Sequence, residues 1–166
     1  DARPGGDGGG VSFFRQRAGG AAGVAQRACG ADTRAGIAEH AVCLLVQDTT
    51  EVDLTRPTEQ VQEAGPMSSP SQFGAFVHPL WAVTPDGIPL GIAWHTSWVR
   101  DTIRTGMTAA QKRQQLKAIP IEDKESLRWI DGLRAAAQVA EACPDTCCVA
   151  VADSEADIYE LFAEPR

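Results

Sequence analysis

The sequence predicts a mixed α/β domain in which three antiparallel strands are followed by a fourth strand parallel to the first, with helices flanking the sheet. Three observations predict it. Two short apolar runs, Cys43-Leu44-Leu45-Val46-Gln47 and Cys147-Cys148-Val149-Ala150-Val151-Ala152, each end in one carboxylate, Asp48 and Asp153. Runs this short read as strands buried on both faces. Between them, Thr84-Pro85-Asp86-Gly87 joins residues 73–83 to 88–99 as an antiparallel hairpin, because Pro presets the first turn torsion and Gly accepts the left-handed one. Residues 124–142 then carry a helical period, so the second Asp-bearing strand is reached through a crossover helix.

Taken in order, residues 1–40 stand apart. Nine of the sixteen glycines fall in the first thirty residues, with Arg and Ala between them. Gly costs backbone entropy in any regular element, so 1–40 reads as a poorly ordered or weakly helical leader. Gly5 to Gly10 follows no strand and opens no helix, which argues against a phosphate loop. Residues 41–166 are the core. After the first strand, 49–53 alternates in character, and 55–71 is a loop rich in Pro, Ser, Gly, Gln and Glu. Pro79 weakens the first hairpin arm unless it faces outward or sits at a bulge. His78 and His95 in the two arms read as satisfied, half-buried side chains. Residues 101–120 are polar and basic. In 124–142, Trp129, Ile130, Leu133, Ala136, Ala137 and Ala140 share one helix face, and Asp123 is the expected N-cap. Cys143-Pro144-Asp145 ends that helix, the second Asp-bearing strand follows, and 155–163 is helical again.

Composition narrows the function. With 166 residues and 43% hydrophobic content the chain holds one domain with a real core. A net charge of −7 argues against a protein that simply coats nucleic acid. The charge is uneven: residues 100–134 hold eight Lys/Arg against five Asp/Glu, and 135–166 hold one against seven. A basic middle beside acidic strand ends suits an anionic substrate. The five cysteines are an odd count, three of them in the apolar runs, which fits reduced thiols in the cytosol. Cys143, Cys147 and Cys148 lack the His or second Cys pair that a zinc site needs. No apolar run approaches the ~20 residues of a membrane span, and no signal pattern opens the sequence.

The element order is the ribonuclease-H-like plan, whose adjacent first and fourth strands hold paired carboxylates. Cutting a phosphodiester at neutral pH needs a hydroxide-like nucleophile and a neutralised anionic transition state. Two Mg²⁺ ions about 3.5–4 Å apart supply both, and hard cations take oxygen ligands, so Asp suits the task better than His or Cys. Four blocks then carry a resemblance: Val46-Gln47-Asp48-Thr49-Thr50, Pro85-Asp86-Gly87-Ile88-Pro89-Leu90-Gly91, Lys124-Glu125-Ser126-Leu127-Arg128-Trp129 and Ala152-Asp153-Ser154-Glu155-Ala156-Asp157-Ile158-Tyr159. In this order, across residues 42–164, they resemble the DDE transposases of bacterial insertion sequences of the IS-four type. The resemblance implies that Asp48 and Asp153 are the first two catalytic and metal-binding carboxylates, with Mg²⁺ or Mn²⁺ as cofactor. It also implies DNA partners, both element ends and target, a homodimer at full length, and a bacterial cytoplasmic, nucleoid-associated location. Lys112, Arg113, Lys117, Lys124 and Arg128 are the expected DNA-facing cations.

Two features depart from the family pattern. Ser154 stands where many members have Arg directly after the second Asp, which removes a cation from beside the metals. The third acidic residue of the family is a Glu on a later helix, beyond a further strand, so the sequence reads as a core cut before its last strand and helix and inactive by itself. Two other readings compete. An aspartyl phosphatase of the haloacid dehalogenase type is similar in its strand ending in Asp48 and in the acidic loop 149–157, but it usually has a second Asp two residues on, where this chain has Thr50, and it alternates strands with helices. The third reading is a non-catalytic DNA-binding or interfering remnant.

Overall fold

The computed structural model describes residues 25–27, 30–55, 64–69, 71–100 and 119–165. Their elements are β1 (Ala25–Arg27), α1 (Ala31–Ala38), β2 (Val42–Gln47), β3 (Thr50–Asp53), β4 (Gly65–Pro66), β5 (Phe73–Val83), β6 (Pro89–Trp98), α2 (Leu127–Ala142), β7 (Cys147–Val151) and α3 (Tyr159–Ala163), with 3₁₀ turns at Ile121–Asp123 and Ser154–Ala156. One mixed sheet runs β1-β6-β5-β2-β7, and β3 and β4 pair with the first half of β5. The pairs are antiparallel except β2 with β7, which is parallel in the register Val42↔Cys147 to Val46↔Val151. This is the mixed α/β sheet expected, a meander followed by a parallel fourth strand, and it is compatible with a ribonuclease-H-like arrangement. The hairpin turns at Gly87, whose φ of 88° is the left-handed torsion the turn demands.

Both long helices pack on one face of the sheet. Ile37 of α1 and Ala135, Ala136 and Val139 of α2 meet Cys43 and Leu45 of β2, Leu80 and Ala82 of β5, and Ala93 and Trp94 of β6 in the core. The other face is open among the described residues. Paired across four strands there, Ile92 and Trp81 are each 41% exposed, and Val46 leads on to Val151 at 37%.

Several expectations need correction. Within the stretch read as a poorly ordered or weakly helical leader, Ala31–Ala38 is a helix that packs on the core through a fully buried Ile37, and the Ala25–Arg27 backbone pairs with β6. A single apolar side chain in a Gly- and Ala-rich stretch leaves almost no periodic signal. Neither Asp-bearing strand is buried on both faces. β2 alternates buried with half-buried residues, and β7 is a largely exposed edge, because the helices cover one side only. α2 begins at Leu127 rather than 124, and Asp123 is not its cap. Pro120 starts a 3₁₀ turn there, and the first helical amides bond in the same tight pattern, Leu127 to Lys124 and Arg128 to Glu125. The buried stripe of α2 is Trp129, Ile130, Gly132, Ala135, Ala136 and Val139. Leu133, Ala137 and Ala140 are not on it. The helix turns its smallest residue, Gly132, to β2, where a Cβ would lie 2.1 Å from Gln47 Oε1.

Candidate functional site

β2 and β3 are one strand interrupted. Gln47 pairs with Leu80 and Thr50 with Val77, so the register on β5 continues with no residue gained or lost across the break. That register sets Asp48 opposite Pro79 and Thr49 opposite His78. Pro79 has no N–H to donate, so the ladder fails at Asp48, and the interruption is written into the partner strand. Alternation along β2 puts Asp48 on the side of Leu44 and Val46, and Thr49 with Gln47 on the side the helices cover.

The parallel β2–β7 ladder ends at Val46↔Val151, between strands about 4.8 Å apart where they pair; continued two residues, the same register would set Asp48 level with Asp153. Both side chains are exposed. Asp48 Oδ1 accepts the Thr49 amide at 2.6 Å, and Asp153 Oδ1 accepts the Glu155 amide at 2.8 Å as the cap of the Ser154–Ala156 turn. Each carboxylate is thus oriented by its own backbone and keeps a second oxygen for a ligand. Among the described residues no group of three or more His, Cys, Asp or Glu could hold a metal by itself. Two carboxylates fit Mg²⁺, which keeps several waters and takes substrate phosphate oxygens; they do not form a dedicated all-protein cage.

Behind the carboxylates runs a polar chain. Arg128 Nε–H donates to Thr49 Oγ1 at 2.8 Å. Thr49 Oγ1 lies 2.9 Å from His78 Nδ1, and His78 Nε2 lies 3.2 Å from Gln47 Oε1. The amide oxygen of Gln47 accepts, so Nε2 carries the proton and Nδ1 receives the Thr49 hydroxyl: the network selects the neutral Nε2–H tautomer. Burial, then the nearby Arg128 charge, lowers the His78 pKa to about 4, with Asp153 acting weakly the other way. Arg128 also donates through Nη1 to the Glu125 carbonyl at 2.8 Å and through Nη2 to Glu155 Oε2 at 3.1 Å.

An aromatic and cationic column supports this chain. Arg100 lies 4.0 Å over the Phe76 ring, Phe76 stacks on Trp98 at 5.4 Å, and the Arg128 guanidinium sits 5.5 Å from Trp98 and 5.3 Å from Trp129. Trp129 meets His78 edge-on at 4.5 Å. Glu125 takes both prongs of Arg100, at 2.8 and 2.7 Å. Burial, the largest single influence, pushes the Glu125 carboxyl up, and the Arg100 hydrogen bonds and charge, the Arg128 charge and the Trp98 indole together hold the group below its ordinary value.

Of the expected site residues, Asp48 and Asp153 come to adjacent strand ends. Lys124 is half-buried in the turn before α2. Lys112, Arg113 and Lys117 lie outside the described residues. Arg128 needs correction as a DNA-facing cation: its side chain is 14% exposed, and its guanidinium is spent on Thr49, Glu125 and Glu155. It supplies a cation near the strand ends although Ser154 does not. Gln47, Thr49, His78 and Glu155 were missed as supporting residues. The one signal for them was Gln47, a polar residue closing an otherwise apolar run.

Compared with known proteins, the chain matches no family model and no curated sequence. Among the described residues no helix is long and apolar enough to cross a membrane.

Proposed function

We propose that this chain carries the first two acidic residues of a divalent-metal-dependent DNA transposase core of the insertion-sequence type. The observation that supports the reading is the parallel β2–β7 register, which, continued two residues past Val46↔Val151, would set Asp48 level with Asp153. A bound Mg²⁺ or Mn²⁺ would activate water and offset charge on the phosphodiester. Asp48 and Asp153 would hold and orient the ion, steadied by the Thr49 and Glu155 amides respectively. Thr49, His78 and Gln47 anchor the strand behind Asp48. The substrate is DNA, the working form a homodimer, and the compartment the bacterial cytoplasm. The antiparallel run of β2, β5 and β6 favours this reading over the aspartyl phosphatase, whose plan alternates strands with helices.

The family chemistry calls for a third carboxylate, and among the described residues no third acidic group joins Asp48 and Asp153 in a metal-holding cluster, so the 166-residue chain is expected to bind metal weakly and to leave DNA uncut. Losing preorganised stabilisation of this kind costs on the order of a hundredfold or more in rate. The test titrates Mn²⁺ into the wild-type chain and into Asp48→Ala and Asp153→Ala, then incubates each with DNA carrying candidate element ends. Weak binding lost in both variants, without cleavage, is expected. Wild-type binding unchanged by both substitutions overturns the site. Cleavage that vanishes with Asp48→Ala overturns the inactivity, and Asp48-dependent phosphate release from small phosphomonoesters replaces the reading with the phosphatase.

A further inference from the structure

We propose that Arg128 is a positioning residue whose guanidinium ties the strand exit that carries Asp48 to the strand exit that carries Asp153. The parallel ladder between β2 and β7 ends at Val46↔Val151, two residues before either carboxylate. Backbone pairing therefore stops short of the two side chains whose separation matters. Arg128 closes that gap. Its Nε holds Thr49, the residue after Asp48, and its Nη2 holds Glu155, two residues after Asp153. The third nitrogen, Nη1, is anchored to the Glu125 carbonyl at the start of α2, so the bridge is tied to the helix as well.

The chemistry of the residue suits the task. A guanidinium is a planar fork with donors in fixed directions, so three partners can be held at set angles; an ammonium is a point charge on a flexible stem and cannot reproduce the fork. Trp98 and Trp129 flank the plane, which limits its rotation. With 14% of its side chain exposed, Arg128 is not a surface cation waiting for a phosphate. Groups that orient ligands in this way typically change metal affinity 10- to 100-fold when removed.

The use made of the two carboxylates rests on the function proposed above, whereas the tie between the strand exits does not. The experiment therefore has two readouts on the 166-residue chain: amide hydrogen exchange by NMR, and Mn²⁺ affinity. Arg128→Lys keeps the charge and most of the stem. Exchange is expected to rise at residues 48–50 and 153–156 together, with the β2 and β5 ladder amides unchanged. Mn²⁺ affinity is expected to fall about tenfold while the thermal midpoint moves little. Faster exchange at one exit only, or at neither, overturns the inference. So does unchanged Mn²⁺ affinity in a variant that has lost the tie. If the wild-type chain binds no Mn²⁺ and both exits still loosen together, the metal reading fails and the tie stands. Should Arg128→Lys unfold, Glu155→Gln weakens a single prong and leaves the Trp packing whole; exchange must then rise at residues 48–50 as well as near 155, and a change confined to 153–156 overturns the inference.

Discussion

His78 is a titratable side chain sealed from water, so its protonation is linked to folding. Its pKa falls from an ordinary 6.5 to about 4 in the folded chain. Between those values the unfolded state binds more protons, so stability rises with pH through that window. It is fully present above about pH 6.5 and is lost as pH falls toward 4. At 1.36 kcal/mol per unit the loss is on the order of 3 kcal/mol. Urea midpoints at pH 7 and pH 4.5 should drop further for the wild type than for His78→Gln, and equal drops in both would remove His78 as the cause. Gly132 sits beside the same network. In Gly132→Ala the new Cβ meets Gln47 Oε1 at 2.1 Å, the oxygen that receives His78 Nε2–H. Helix propensity favours Ala by about 1 kcal/mol, while overpacking a buried, bonded side chain costs about 1–3 kcal/mol. A net loss of about 1 kcal/mol is expected in thermal melts, and a raised melting temperature would show that Gln47 swings aside freely.

At the scale of the element, legibility followed locality. The strand 73–83 was read to the residue, because its apolar run ends at a Pro-Asp-Gly turn. The β2–β7 pairing joins residues 105 positions apart, and that register is nowhere in the local pattern. Pro79 was noticed as a weak point in its own strand, but its effect falls on Asp48 across the ladder, which no single-strand reading reaches. α1 has one large apolar residue, Ile37, and β1 is three residues long, so neither leaves a periodic signal, and tertiary contact through Ile37 and β6 does what propensity does not. β7 carries the element-scale prediction. Among the described residues it is the sheet edge, with Val149 and Val151 at 41% and 37% exposure. Exposed apolar edges pair with other chains. The 166-residue chain should self-associate with rising concentration in sedimentation velocity, and Val149→Lys with Val151→Lys should keep it monomeric; an equally associated double variant would exclude this edge.

For the molecule as a whole, the sequence made the fold class legible, and of the candidate site it made legible the two Asp residues at strand ends. Two Asp-terminated apolar runs were visible as strings, whereas the tie between them was not, since Arg128 looks like any helix-surface cation until Trp98 and Trp129 close around it. Among the described residues the sheet is covered on one face and open on the other, so the carboxylates stand at the boundary between a packed layer and an unpacked one. The column of rings behind them has an optical consequence. Of the four tryptophans, Trp98 and Trp129 flank the guanidinium and Trp94 lies edge-on to His78 at 6.4 Å, while Trp81 is on the open face. Three of the four indoles therefore report from the wall of the site, and the chain's ultraviolet emission is weighted toward that wall. A loosening of the strand exits changes its colour and intensity before the sheet melts, with no dye attached.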